Sequence, residues 1–405
     1  MHPSVPFSSL CLLALVSSAQ AGPLTTVPWN GHTGAVSFTY DDARKSQIPT
    51  LLPQLDALSI KATFFLTYGA GGDLSTNKAA WIQAAKNGHE LANHTYDHQN
   101  VAAGTTQIQK MASDLRGFDP VVDAVTFAYP NCSVGAPTEV NAEAFMGRGC
   151  GQANYSWTTQ PSDWKNVQGL ILNSGAPGPG VTLINSAKSG NSWGITIVHD
   201  VTASPDQYSL TPADNKKMLD AAIANNVWIA PYGTVGAYYR AHFTMDAVTV
   251  TGSSPWNLAW TSPHAKMPKS VMLKVKLAAA TFGNAFTVTQ GGAAIPVNAD
   301  GSYTIDFMKL KMTVTSGSSG VLAHGSLPAT VGMAMVGSKL VLSGLPVGSY
   351  RLDLRSLSGT LLSHSILDAT GSQDLAVIAP VHARRVVAML RSQDGNTLET
   401  PLWMP

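Results

Sequence analysis

The sequence predicts an α/β domain on a mostly parallel sheet, followed by small all-β modules, and three observations predict it. Residues 34–240 alternate short apolar strands with helix-periodic stretches, the order that builds a parallel sheet with crossover helices. After about Thr244 the texture changes to short strands separated by Gly, Pro, Asn and Asp, the pattern of a small sandwich. The chain of 405 residues is 44% hydrophobic, and at ~100–200 residues per domain it holds two or three domains, each able to close a core. Such a parallel sheet either closes as a barrel or opens as a doubly wound layer. In both, chemistry gathers at the carboxyl ends of the strands.

The elements follow in order. Leu10 to Val16 is an apolar run followed by Ala19-Gln20-Ala21, the form of a secretory leader with a small-x-small cleavage site. Residues 1–21 are therefore expected to be a signal peptide, and the mature chain a secreted or cell-surface protein. Residues 35–40, 62–67, 89–93, 124–129, 194–199 and 227–230 read as strands, with helices around 48–58 and 78–87. This makes 22–244 the α/β domain, 245–314 a β accessory module, 315–330 a Gly/Ser-rich linker and 331–405 a second β module. In the last, Leu342 to Tyr350 faintly resembles the terminal β-sandwich that some bacterial secretion systems use for sorting. No later stretch reaches the ~18 apolar residues of a membrane span.

Composition excludes several classes of partner. Lys+Arg number 25 against 24 Asp+Glu, a net charge of +1, and only 12% of residues are charged. That is about half the usual ~25%, so an extended basic footprint for nucleic acid or anionic lipid is excluded. A neutral polymer such as carbohydrate fits, and a monomer is expected. Of the three cysteines, Cys11 leaves with the leader, so Cys132 and Cys150 are a candidate disulfide pair in an oxidising space, two separate buried thiols being the alternative.

The residues that carry chemistry fall at strand ends. Asp41-Asp42 follows the first strand, His94 and His98 the third, Asn131 the fourth; Asp163-Trp164 sits in a later loop, and His199 closes the strand through Ile197. Two histidines four apart on a helix share a face, the spacing that two ligands of one metal need. Alone, that spacing is weak, and adjacent acids more often cap a helix. The information lies in their combination on one sheet.

In that order these residues resemble the polysaccharide deacetylases of carbohydrate esterase family 4, over about residues 35–240. The resemblance implies a distorted, incomplete parallel (β/α) barrel of about seven strands. In Thr39-Tyr40-Asp41-Asp42 it makes Asp41 the general base and Asp42 a metal ligand, and in His94-Thr95-Tyr96-Asp97-His98 it supplies two more ligands, His94 and His98. It makes His199 the general acid and Asp163 the partner that keeps His199 protonated. Tyr129-Pro130-Asn131 occupies the third motif, with a backbone N–H near Asn131 facing the developing oxyanion, and Trp164 and Ile197 wall the acetyl slot. Two departures stand out: Ala128 replaces the usual arginine that orients the base, and Asn131 replaces the usual aromatic.

The chemistry explains these residue types on its own terms. A metal held by two imidazoles and one carboxylate keeps positions open for water and lowers that water's pKa. An uncoordinated Asp41 then accepts the proton. Zn²⁺ suits the ligand set first, with Co²⁺, Ni²⁺ or Mn²⁺ also admitted. Tyr96, Tyr129, Tyr155, Trp157 and Trp193 are either rings for sugar stacking or ordinary core. The expected substrate is an acetylated polysaccharide. O-acetyl xylan is placed ahead of N-acetylglucosamine polymers because an ester tolerates a poorly oriented Asp41. Two alternatives remain, a metal-dependent small-amide hydrolase and a non-catalytic carbohydrate-binding surface protein with a relic site.

Overall fold

The computed structural model describes residues 22–316, apart from 119–121, 152–153, 175–176 and 284–285, and beyond them the strands named below. After β1 (Leu24–Thr26) the chain enters β2 (Ala35–Asp41), all seven of whose residues are buried. There follow α1 (Leu51–Ala57), β3 (Thr63–Leu66), α2 (Lys78–Lys86), β4 (Glu90–Asn93), α3 (Gln107–Arg116), β5 (Thr126–Ala128) and α4 (Pro137–Glu143). Then come β6 (Met146–Arg148), β7 (Asn154–Ser156), β8 (Leu170–Ile171), α5 (Pro177–Ser189), β9 (Ser192–Val198), α6 (Pro212–Asn225), β10 (Trp228–Ile229) and α7 (Tyr232–Asp246). The main sheet runs β6-β5-β4-β3-β2-β9-β7, with β10 beside β2 and β8 beside β9. Every pair is parallel except β7 on β9. The expected incomplete barrel of about seven strands is what forms, a curled half-barrel with one antiparallel edge.

Alternation with period two explains why these strands look uniformly apolar. Val36, Phe38 and Tyr40 pack with Phe64, Leu66 and Leu91 under the helices, against Leu55, Trp81, Met111 and Met218. The alternate residues Ala35, Phe65, Ala92, Ala128, Trp193 and Ile195 join a second core with Trp29, Tyr232 and Tyr239. Burial on both faces removes the polar-out half of the pattern. Asp41 falls in the second set, two residues beyond Thr39, so its side chain faces the inside of the half-barrel. Register brings the strand ends level: Asp41 pairs with Phe65, Phe65 with Ala92, Asn93 with Phe127, and Ala128 with Arg148.

The change of texture near Thr244 is a change of architecture. Past α7 come β11 (Trp256–Ala259), β12 (Met272–Leu277), α8 (Ala279–Phe282), β13 (Phe286–Gln290), β14 (Ala293–Ala294), β15 (Tyr303–Asp306) and β16 (Lys311–Ser316). They form two antiparallel sheets, β1-β12-β15 and β11-β16-β13-β14. Leu258, Val275, Ile305, Phe307 and Val314 continue the inner core of the half-barrel. The first compact unit accordingly ends at Ser316. Trp260 is buried, its Nε1–H donating to the Phe307 carbonyl at 2.8 Å, so it is core.

The second unit covers residues 317–405 and holds β17 (Gly332–Val336), β18 (Lys339–Ser343), β19 (Gly348–Arg355), β20 (Leu361–Ala369), β21 (Leu375–Ile378), β22 (Arg385–Ser392) and β23 (Thr397–Trp403). These make two antiparallel sheets, β17-β18-β21 and β20-β19-β22-β23. Thr315 and Ser316, expected in the linker, complete β16. The rest of that linker, the leader 1–21 and residues 344–347 of the sorting-like segment lie outside the described residues.

Candidate active site

Asp41 ends β2, and the chain turns at once. Asp42 and Ala43 take φ of 74° and 52°, left-handed backbone that costs a non-glycine residue about 1–2 kcal/mol. The turn breaks strand alternation, so two successive carboxylates both reach the rim. His94 and His98 reach it from the end of β4, and the helix expected to carry them is absent. Thr95 and His98 have φ of 62° and 58°, and the segment is a tight turn, its Thr95 N–H bonded to Asn93 Oδ1 at 2.9 Å. Tyr68 N–H and the Thr67 hydroxyl both donate to the Tyr96 carbonyl. Gly69 allows this closure, because a Cβ there would lie 2.4 Å from the Asp97 carbonyl oxygen.

Asp42, His94 and His98 offer ligand atoms within 4.8 Å of one another, slightly wider than the ~4 Å expected from metal bonds of ~2.0–2.2 Å. Asp42 Oδ1 lies 3.2 Å from His98 Nε2 and 3.5 Å from His94 Nε2, buried and without a hydrogen-bond partner. The other oxygen, Oδ2, accepts from Arg44 Nη2 at 2.9 Å. His94 Nδ1–H donates to the Ala128 carbonyl at 2.9 Å, which leaves Nε2 as the lone-pair nitrogen. An unpartnered carboxylate oxygen converging with two imidazoles is the donor set a divalent cation takes, and these residues fit one. Burial pushes His94 below the usual imidazole value despite the nearby Asp41 and Asp42 carboxylates, so it stays neutral and able to ligate. Burial would push Asp42 up, but the His98 imidazole beside it, with the His94 and His199 rings, holds it well below the carboxylate range.

The arginine missing at position 128 is supplied by the next strand. Arg148, at the end of β6 and 1% exposed, donates from Nη1 to Asp41 Oδ1 at 2.8 Å and from Nη2 to Oδ2 at 2.7 Å. Nη1 also donates to the Thr39 hydroxyl, and the guanidinium lies 4.7 Å over the Phe65 ring. Burial alone would raise Asp41, but Arg148, then His94 and His199, hold it below its ordinary value. The expectation of a poorly oriented base is therefore corrected: Asp41 has a bidentate clamp. The clamp is stapled by the Cys132–Cys150 disulfide, Cα–Cα 5.4 Å, which joins the turn after β5 to the residue two beyond Arg148.

His199 leaves β9 with its Nε2 3.9 Å from Asp42 Oδ2, and its Nδ1 is buried without a hydrogen-bond partner. The expected Asp163 contact is not formed. Asp163 accepts instead from Lys165 N–H at 2.9 Å and pairs with its Nζ at 3.0 Å, 46% exposed, because the short turn after it closes on its own carboxylate. Gln47, not anticipated from sequence, ties the ends of β2 and β9, its Nε2 donating to the Asp41 carbonyl at 2.7 Å and the His199 carbonyl at 2.6 Å.

Asp41, Asp42, His94, His98, Arg148 and His199 line a cavity of about 480 Å³, together with Tyr129, Asn131, Ile171, Ile197 and Tyr208. Trp164 is not among its lining residues; it packs edge-on to Tyr239 under the Arg240 guanidinium, corrected from slot wall to core rim. Trp157 and Trp193 are buried in the inner core, and Tyr155 and Tyr96 are held by Gln168 and Tyr68, so of the five candidate rings only Tyr129 faces the cavity. A larger cavity of about 620 Å³ lies at the opposite strand ends, by Glu90 and Trp228, away from the metal-ligand cluster.

Residues 30–142 match the family model described as polysaccharide deacetylase. A probable peptidoglycan-N-acetylglucosamine deacetylase of Arthroderma benhamiae is 30% identical over 96 residues, 24% of this chain and 22% of that protein. A bifunctional xylanase/deacetylase of Pseudobutyrivibrio xylanivorans is 27% identical over 214 residues, 51% of this chain and 32% of that one. The chain thus spans a third or less of the length of these two relatives. A solved family 4 acetyl xylan esterase from Clostridium thermocellum is 17% identical, with a TM-score of 0.35, covering 50% of this chain and 89% of its own. The family match thus covers 113 of the 405 residues, from just before β2 into α4, and takes in Asp41, Asp42, His94 and His98.

Proposed function

We propose that this polysaccharide deacetylase domain acts as a secreted or cell-surface monomer that hydrolyses acetyl groups from a carbohydrate polymer, using one divalent metal, Asp41 as base and His199 as acid. One observation carries the reading: a carboxylate clamped ionised by Arg148 stands beside three converging metal-ligand atoms in a single cavity. A divalent cation on Asp42, His94 and His98, Zn²⁺ first and Co²⁺, Ni²⁺ or Mn²⁺ next, supplies Lewis acidity that makes water a nucleophile near neutral pH.

The chain's own residues do the rest. Each Asp41 oxygen accepts one Arg148 bond and keeps a lone pair for a proton from the attacking water. His199 donates a proton to the departing sugar oxygen or nitrogen. At the turn after β5, Pro130 has no N–H and Cys132 N–H is spent on the Tyr129 carbonyl, which leaves the Asn131 N–H for the developing oxyanion. Ile171 and Ile197 wall the acetyl methyl. The Cys132–Cys150 bridge suits an oxidising compartment, which supports secretion.

The earlier reason to favour an ester falls away with Arg148 in place, so O-acetyl xylan and N-acetylglucosamine polymers stand level. The test is acetate release from acetylated xylan, chitin oligomers, peptidoglycan and a small amide, with and without chelator. Release from one polymer, lost with chelator and restored by Zn²⁺, is expected. Release from the small amide alone supports the amidase alternative, and no release from any substrate supports the relic-site alternative.

A further inference from the structure

We infer that Tyr208 is the sugar-stacking, specificity-determining residue of this site, offering its ring to the saccharide unit that carries the acetyl group; the inference rests on the deacetylase reading above. Five large apolar side chains stand exposed among the described residues: Val134, Tyr208, Ile223, Met272 and Val297. Tyr208, at 42%, is the one aromatic among them and the one that lines the catalytic cavity. Exposing an aromatic ring in water forgoes the burial that its apolar area would contribute, so its place in this wall calls for a ligand.

The backbone that carries the ring is also held in place. The Tyr208 carbonyl accepts from His199 N–H at 3.0 Å, and Tyr208 N–H donates to Asp206 Oδ1 at 3.1 Å. The loop is closed on either side, by Ser174 N–H on the Gln207 carbonyl at 3.0 Å and Leu210 N–H on the Asp200 carbonyl at 2.9 Å. A loop already held in this way loses little entropy of its own on binding. Its position selects its target, since the Tyr208 and His199 rings lie 5.5 Å apart at 41°. His199 serves the leaving group, so a ring beside it meets the sugar, while Ile171 and Ile197 meet the methyl. Stacking on C–H faces suits a neutral pyranose and needs no charge, in keeping with a chain only 12% charged.

The test compares wild type, Tyr208→Ala and Tyr208→Phe on the acetylated oligosaccharide that wild type prefers and on an alkyl acetate with no ring, reading kcat and KM separately. Calorimetric binding of the deacetylated oligosaccharide gives a readout independent of turnover. Tyr208→Ala is expected to raise the oligosaccharide KM about tenfold. It should weaken product binding by the same factor and lower the oligosaccharide-to-alkyl-acetate ratio of kcat/KM, and Tyr208→Phe should restore all three. Proportional losses on both substrates, wild-type KM and product binding in Tyr208→Ala, or failure of Tyr208→Phe to restore them would each overturn the inference. If wild type cleaves the alkyl acetate but neither binds nor hydrolyses any saccharide, the deacetylase reading itself fails, and the inference falls with it.

Discussion

Asp41 and Glu90 stand at opposite ends of the same sheet, and the contrast between them separates a carboxylate held ionised from one that burial pushes towards its neutral form. Both are tightly hydrogen-bonded. Asp41 takes two bonds from Arg148, at 2.8 and 2.7 Å. Glu90 takes bonds from the Thr63 and Thr126 hydroxyls at 2.6 and 2.5 Å and from Gly233 N–H at 2.8 Å, at the start of α7. Burial pushes both carboxyls up. At Asp41 the guanidinium reverses that push, whereas at Glu90 three neutral donors do not, and its value stays raised. Hydrogen bonds alone hold a carboxylate in place; a fixed cation also keeps it ionised and ready to accept a proton.

The comparison can be broken from the rim end first. His94→Ala removes one ligand and leaves two, and should abolish both metal retention and acetate release, as read by metal analysis and an acetate assay. Arg148→Met should come next. It leaves Asp41 as an uncompensated buried charge, a loss of about 3–5 kcal/mol in denaturant unfolding, while Arg148→Lys keeps the charge without the fork and recovers part of it. Removing the staple with Cys132→Ser/Cys150→Ser opens a loop of sequence separation 18 and should cost about 3 kcal/mol. The active-site cost should exceed that of a remote loop, because the bridge anchors Arg148's strand end.

Glu90→Gln should have the smallest effect, within about 1 kcal/mol at neutral pH, but it sharpens the comparison through pH. A raised folded value means that Glu90's contribution is full below the unfolded carboxylate value and is lost as pH rises through the folded one. A lowered value, as at Asp41, gives the reverse: its contribution is present above the unfolded value and lost as pH falls through the folded one. Unfolding curves against pH should therefore flatten on the alkaline side in Glu90→Gln and on the acid side in Asp41→Asn.

How much of this was legible in the sequence depended on whether a residue's role followed from its place along a strand. The strand ends carrying Asp41, Asp42, His94, His98 and His199 stood out because buried parallel strands are long apolar runs that stop abruptly. Arg148 did not, since β6 is three residues long, with Gly147 inside it and Gly149 after it, too short to show a period. Its one signal was a lone arginine two residues before a cysteine in a sparsely charged chain. Asp163 and Trp164 were placed by motif order alone, and order does not set side-chain direction; a local turn with Lys165 captured the carboxylate. The His94–His98 spacing was informative for the wrong reason, because a left-handed turn, and not a helical face, brings the rings together.

The central claim is a division of labour between identical neighbours, Asp41 as base and Asp42 as ligand, and metal titration of both variants alongside acetate release tests it most directly. Asp41→Asn should keep one metal per chain and lower the rate by about 10²–10⁴. Asp42→Asn should bind metal weakly and regain part of its activity in excess metal. Loss of the metal from Asp41→Asn with its retention in Asp42→Asn would contradict the account.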